Sequence, residues 1–167
     1  MFKKIILIIF IFFPYNSYGL IKVDITRGNL SPLPLAVSPL AIDKDSKKEF
    51  EKILNKKDIG SEISTIVERN LKTSGLFNPL NKEAFLQKPE IANLKPRFED
   101  WQLIKAQALI TGKVSFEDQK LRVEFRLWDI LAGREMMALA FTTVPTNWRR
   151  VGHIISDKVY ERLTGEK

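Results

Sequence analysis

The chain has 167 residues, 44% apolar and 28% charged, with a formal net charge of +7; that is the profile of an ordinary globular protein with room for one core but not for two large ones. It contains no Cys, which excludes a disulfide framework, a thiol nucleophile, a Cys-ligated zinc and a lipid-anchored Cys at a mature start. A basic balance raises nucleic acid or an anionic membrane as partners. Here, however, Lys47-Lys48, Lys52 and Lys56-Lys57 are interleaved with Glu49, Glu51 and Asp58 and read as a solvated helix face.

Residues 1–19 read as a cleavable Sec-type signal peptide. Lys3 and Lys4 precede an unbroken apolar run, Ile5 to Phe13, which Pro14 breaks; Ser17-Tyr18-Gly19 then offers small residues for cleavage. The run is shorter than the ~20 residues a membrane-spanning helix needs. The mature domain is therefore expected to span residues 20–167, with no stable membrane insertion after cleavage. Secretion also argues against nucleic acid as a partner.

In the mature chain, Ile21, Val23 and Ile25 alternate with Lys22, Asp24 and Thr26, a strand pattern, and Arg27-Gly28-Asn29 is a turn signal. Leu33 to Leu40 predicts a second strand, apolar enough for the middle of a sheet, with Pro34 and Pro39 placed where no ladder donor is needed. Asp43 to Lys57 is a surface loop or a weak helix. Asp58 is a good N-cap; Ile59, Ile63, Ile66, Val67 and Leu71 follow at helical spacing, and Gly75 occupies the left-handed position that ends such a helix. Leu76 to Leu80 leads through Asn78-Pro79 into a short turn or helix at Lys82 to Gln87. Lys88 to Arg97, with Pro89 and Pro96, reads as a connector. Phe98 to Lys105 predicts a short helix with Trp101 and Ile104 inward.

Ala108 to Phe116 predicts a strand, and Glu117-Asp118-Gln119 a hairpin turn. Leu121, Val123, Phe125 and Leu127 alternate with Arg122, Glu124 and Arg126, as in an antiparallel strand with one wet face. Ala132-Gly133 turns the chain and Met136 to Thr143 returns it. Thr146 or Asn147 would cap a final helix whose buried stripe is Trp148, Val151, Ile155, Val159 and Leu163, ended by Gly165. The order is strand, strand, helix, strand, helix, strands, helix. It predicts a single α/β domain: a mixed β-sheet flanked by helices, with an antiparallel C-terminal meander and a final amphipathic helix.

Chemistry-bearing motifs are sparse. His153 is the only His, and no motif supplies it with a nucleophile or with further metal ligands. Gly60 and Gly75 are isolated, so no glycine-rich phosphate loop is present. Glu99-Asp100 beside Trp101 could serve acid–base work, but acids at a helix start are accounted for by the helix dipole. No catalytic residue, cofactor or metal site is assigned. A pocket near Trp101 and Trp148 is the alternative reading, as a small ligand- or lipid-binding domain. The β-prone segment at the free chain end, Leu20 to Thr26, is either an ordinary first strand or an element that adds to a partner's sheet edge.

Several segments, in order, carry a family resemblance: Leu35-Ala36-Val37-Ser38-Pro39, Ser74-Gly75-Leu76-Phe77-Asn78-Pro79-Leu80, Arg97-Phe98-Glu99-Asp100-Trp101, Leu121 to Asp129, and Asn147-Trp148-Arg149-Arg150 through Gly165. Together they resemble the amino-terminal domain of the TolB family of the Tol-Pal envelope system. The resemblance implies a non-enzymatic α/β domain in the periplasm of a Gram-negative cell, with roles in outer-membrane integrity and cell division. It implies that the mature amino-terminal segment docks on TolA or folds back on its own protein, and so points to Leu20, Ile21, Lys22, Val23, Asp24, Ile25 and Thr26 as partner-binding residues. In the family a β-propeller follows and carries most of the site for the lipoprotein Pal. This sequence stops at Lys167, ahead of any propeller, so Pal binding is not expected of it.

Overall fold

The computed structural model describes residue 21, residues 31–56 and residues 58–166. The segment 22–26 expected as a first strand, and the signal peptide, lie outside these residues.

β1 (Leu33–Val37) lies between β3 (Phe77–Pro79) and β4 (Ala108–Glu117) and is parallel to both. A strand flanked on both sides and covered on both faces must be apolar throughout, and Leu33, Leu35, Ala36 and Val37 are all buried. Pro34 is tolerated for a local reason. The Leu33 N–H bonds toward β3, to the Leu76 carbonyl at 2.9 Å, while the Pro34 carbonyl accepts from Gln107 N at 3.0 Å on the β4 side. The missing Pro34 N–H would therefore point just ahead of the first β4 residue, where no ladder acceptor is lost.

The single strand expected over Leu33 to Leu40 is broken in two. The chain bends at Ser38-Pro39-Leu40 and resumes as β2 (Ala41–Ile42), which pairs with β4 further along, at Lys113 and Val114. Ser64, fully buried on α2 (Ile59–Thr73), stabilises the bend. Its Oγ accepts from the Leu40 N–H at 3.0 Å, and it can donate to the Ser38 carbonyl at 3.1 Å or the Gly60 carbonyl at 2.9 Å.

Asp43 to Lys57, open between loop and helix on sequence, contains helix α1 (Lys44–Leu54). The Asp43 carboxylate caps it, accepting from the backbone N–H groups of Ser46 (2.8 Å) and Asp45 (3.0 Å) and from the Ser46 hydroxyl (2.7 Å). The Ser46 bonds, backbone first, hold the Asp43 pKa below its ordinary value. Apart from Ser46, only Phe50 of this helix is buried, and Lys47, Lys48, Glu51 and Lys52 are exposed. α2 has the expected stripe and caps: Asp58 accepts from Ser61 N at 3.0 Å, Ile59, Ile63, Ile66, Val67 and Leu71 are buried, and Gly75 has φ +76°.

The lead-in at Leu76–Leu80 contains β3, which supplies the strand that the element order requires after α2. The stretch read as a connector, Lys88 to Arg97, instead contains helix α3 (Pro89–Leu94). Pro89 sits in its first turn, where a missing N–H costs nothing. α4 (Phe98–Leu103) follows, with Trp101 buried and Ile104 packed just beyond its end, as expected.

β4 and β5 (Lys120–Asp129) form a hairpin of ten-residue strands, and β6 (Arg134–Thr143) adds to β5, completing the antiparallel meander. The first hairpin closes through Asp118-Gln119, both left-handed at φ +49° and +61°, the requirement of a two-residue type I′ turn. In β6 the register steps from Met137 opposite Leu127 to Glu135 opposite Trp128, so Met136 is a bulge residue. The final helix, α5 (Trp148–Thr164), buries Trp148, Val151, Ile155, Val159 and Leu163 and ends at Gly165 with φ +82°. The expected side-chain cap is absent. A 3-10 turn, Pro145–Asn147, runs straight into α5, and the Asn147 amide donates instead to Thr143 Oγ1 at 3.1 Å.

The strand order is β3-β1-β4-β5-β6, with β2 beside β4. α1, α2 and α5 cover the face bearing Leu35, Val37, Ile110, Val123 and Phe125. On the other face, α3, α4 and the segment after α4 enclose Ala36, Leu109, Trp128 and Ile130 with Ala92, Trp101 and Ala106. This is the α/β fold that the element order predicts.

Gln119 holds a backbone conformation that costs a side chain energy and costs glycine nothing. Gln119→Gly is expected to raise stability by about 0.5–1 kcal/mol in urea unfolding. Ser64→Ala should lower it by about 1–3 kcal/mol, because the buried Leu40 N–H loses its acceptor. A loss under ~0.5 kcal/mol in the same measurement would show that another group covers that amide.

Candidate functional site

Of the expected partner-binding segment, Ile21 is described, whereas Leu20, Lys22, Val23, Asp24, Ile25 and Thr26 lie outside the described residues. Ile21 is half-buried against the larger core cluster. Its N–H donates to Asp129 Oδ2 at 3.4 Å, a long bond. Asp129 is fully buried at the end of β5, and its other oxygen accepts from Ala132 N at 2.8 Å, closing the β5–β6 turn. Its partner in the ladder is Arg134, the first residue of β6. Among the described residues, Ile21 therefore meets the mouth of that turn through this hydrogen bond and its packing on the core.

β6 is the last strand of the sheet on its side, and its outer edge carries no partner strand among the described residues. Ala138, Leu139 and Ala140 are exposed along it. The opposite edge strand, β3, is only three residues long, so β6 is the longer of the two sheet edges among the described residues.

The remaining concave feature lies between α2 and α5. These helices approach closely at Gly152, where a Cβ would stand 2.9 Å from Ile66 Cγ2 and 3.0 Å from Ile66 Cβ. Above that contact is a cleft of about 410 Å³ lined by Glu62, Thr65, Arg69 and Asn70 of α2 and by Trp148, Arg149 and His153 of α5. His153 is exposed here, and its Nδ1 lies 2.8 Å from Asn70 Nδ2. The same Asn70 amide donates to Ser156 Oγ at 3.1 Å, which in turn donates to the Gly152 carbonyl at 2.9 Å. With the amide donating, Nδ1 of the neutral ring is the acceptor and Nε2 carries the hydrogen.

The other candidates separate. Asp100 is tied to its own neighbourhood: Oδ2 accepts from Gln87 Nε2 (2.9 Å) and from Arg97 Nε and Nη2 (2.9 and 2.6 Å). The Gln87 bond, then Arg97, lowers its pKa. Glu99 is exposed beside it, and both acids sit in the first turn of α4, as the helix-dipole reading has it. Trp101 and Trp148 cannot line one pocket, because they lie in core clusters on opposite faces of the sheet. That corrects the geometry of the alternative ligand site. Sequence reading passed over Arg69 and the cleft. The available signal was Glu62, Ile66 and Arg69-Asn70 recurring along one side of α2, but nothing in it says which helix faces that side.

The described residues thus form a small α/β domain whose distinguishing features are surfaces: a long edge strand, β6, and an inter-helix cleft. Among the described residues no His, Cys, Asp and Glu cluster is placed to hold a metal, and no helix is long and apolar enough to cross a membrane. Residues 21–136 match the family described as the TolB amino-terminal domain, and the chain belongs to that family. Over all 167 residues it is 72% identical to the Tol-Pal system protein TolB of Pelagibacter ubique (strain HTCC1062), and it spans 37% of that relative's length. The crystal structure of TolB from Acinetobacter baumannii shares the fold: it superposes with a TM-score of 0.62 at 20% identity, over 81% of this chain and 29% of that one.

The close approach at Gly152 is open to test. Gly152→Val should destabilise by about 1–3 kcal/mol, since its side chain must displace Ile66 or push the helices apart. An unchanged thermal midpoint would mean that α2 and α5 do not pack at this distance.

Proposed function

We propose that residues 20–167 form a non-enzymatic, periplasmic protein-interaction domain of the Tol-Pal envelope system, delivered by a signal peptide at residues 1–19. Its mature amino-terminal segment, Leu20 to Thr26, docks on TolA, and through that contact the domain supports outer-membrane integrity and cell division. The observation carrying this reading is the 72% identity, across the whole chain, to a protein named for the Tol-Pal system. The sequence contributes a physical reason for choosing the chain end. The alternating pattern of Ile21, Val23 and Ile25 is the type that adds a strand to a partner's sheet, where backbone bonds supply affinity and alternate side chains supply specificity.

The test is capture of the mature protein by the carboxy-terminal domain of TolA, with and without residues 20–27. Binding is expected only from the longer form. A second variant, Val23→Pro, removes a backbone donor without shortening the chain and should also bind poorly while melting like the parent. Equal capture of all three, or of none, would remove the assignment.

A further inference from the structure

We infer that the cleft between α2 and α5 is a second docking site, built to take the carboxylate side chains of an acidic segment of a protein partner. It is separate from the chain end proposed for TolA and does not depend on that assignment.

The cationic groups in the lining are its uncommitted ones. Arg69 and Arg149 are exposed, and among the described residues neither has a carboxylate partner. The acids close to them are engaged elsewhere: Glu62 holds Lys56 at 2.7 Å, and Glu68, beside Arg69 in sequence, holds Lys82 at 2.8 Å. The Thr65 hydroxyl donates to the Ser61 carbonyl at 2.9 Å. His153, with Nδ1 facing Asn70, directs its Nε2–H away from that contact. The cleft therefore offers two guanidinium forks and a ring N–H, and needs an acceptor-rich, negatively charged ligand.

One fork is already positioned. The Arg149 guanidinium carbon stands 4.2 Å from the centroid of the Trp148 ring, and Trp148 is itself held in the core. Stacking on an indole fixes the plane of the guanidinium while leaving its edge N–H groups free for a two-point bond. A carboxylate matches that edge with paired acceptors. The Asn70–His153 and Asn70–Ser156 bonds fix the polar floor from the α2 side. Less of the binding energy is then spent on ordering side chains than at an ordinary patch of surface arginines.

The surroundings favour a protein over a membrane. Attraction to an anionic bilayer calls for a cluster of like charges, whereas here Glu62, Glu68 and Asp157 lie on the same two helices as Arg69, Lys72, Arg149 and Arg150. Such a mixed surface rewards discrete carboxylates placed opposite the two forks.

The experiment is an NMR titration of the isotope-labelled full chain at physiological salt, with a short capped peptide alternating Glu and Ala. The comparison ligands are its Gln-for-Glu counterpart, inorganic phosphate and phosphatidylglycerol-containing vesicles. Saturable shifts are expected at Arg69, Asn70, Trp148, Arg149 and His153 with the Glu peptide alone. Arg69→Gln and Arg149→Gln should each weaken binding about fivefold, and Arg149→Lys, which keeps the charge but not the fork, should weaken it as well. Arg150→Gln, on the neighbouring groove beside β6, should bind like the parent. Scattered or non-saturating shifts, equal response to the Gln peptide, equal loss in Arg150→Gln, or tighter binding of phosphate or vesicles would each overturn the proposal. The three arginines are exposed, and a thermal melt of each variant confirms that the fold is kept.

Discussion

Strand β4 carries the constraint that organises this molecule. It has strands along both edges, with β1 and β2 on one side and β5 on the other, and a helical layer over each face. Every residue of its first half must therefore be small or apolar, or find a partner. Ala108, Leu109 and Ile110 meet the first condition, and Thr111 meets the second by accepting from the indole of Trp128 at 2.9 Å. Because β1 and β2 share one edge of β4, the chain joining them has to bend in the sheet interior. That bend exposes a backbone N–H at Leu40, and the buried Ser64 hydroxyl is its solution. A polar atom in the middle of α2 is thus fixed by the pairing of a strand remote in sequence.

The two faces of the sheet are built to different depths. On one, α2 and α5 are long, present continuous apolar stripes and approach closely enough for Gly152 to be required. On the other, α3 and α4 have six residues each, and the buried polar atoms Asn93 Oδ1 and Trp101 Nε1 lack hydrogen-bond partners among the described residues. Short helices with unsatisfied polar groups open at lower free energy than long packed ones. The long-helix α2–α5 face is accordingly the better platform for a preorganised cleft.

The long helices were legible because a helical repeat of apolar residues has one physical use, burial of a stripe, and their ends were marked by Asp58, Gly75 and Gly165. The meander was legible for the same reason at period two. β3 was harder to bound, since three residues carry no period and only their pairing with β1 makes them a strand. α3 was masked by its prolines: Pro89 reads as punctuation, yet the first turn of a helix is where proline does no harm. α1 stood between loop and helix because its single buried anchor, Phe50, is too little apolar pattern to decide, and the Asp43 cap tips the balance. At α5 the expected cap failed because a preceding 3-10 turn redirects Asn147 toward Thr143.

The proposed surfaces divide along the same line. Leu20 to Thr26 could be singled out from its alternation and its place at a chain end, both properties of the linear sequence, and the family segments of the Tol-Pal system are linear as well. The α2–α5 cleft could not be, because Arg69 and Arg149 are eighty positions apart and each alone is an ordinary surface arginine. What the sequence by itself determined was the long helices, the antiparallel meander and their buried faces, since hydrophobic periodicity acts locally. What only the tertiary structure decided was which side chains meet across elements: the Ser64 clasp on the β1–β2 bend, the Gly152–Ile66 contact, and the Trp148-stacked Arg149 sharing a cleft with Arg69. Those depend on helix rotation and strand register, and many different long-range contacts are compatible with the same local pattern.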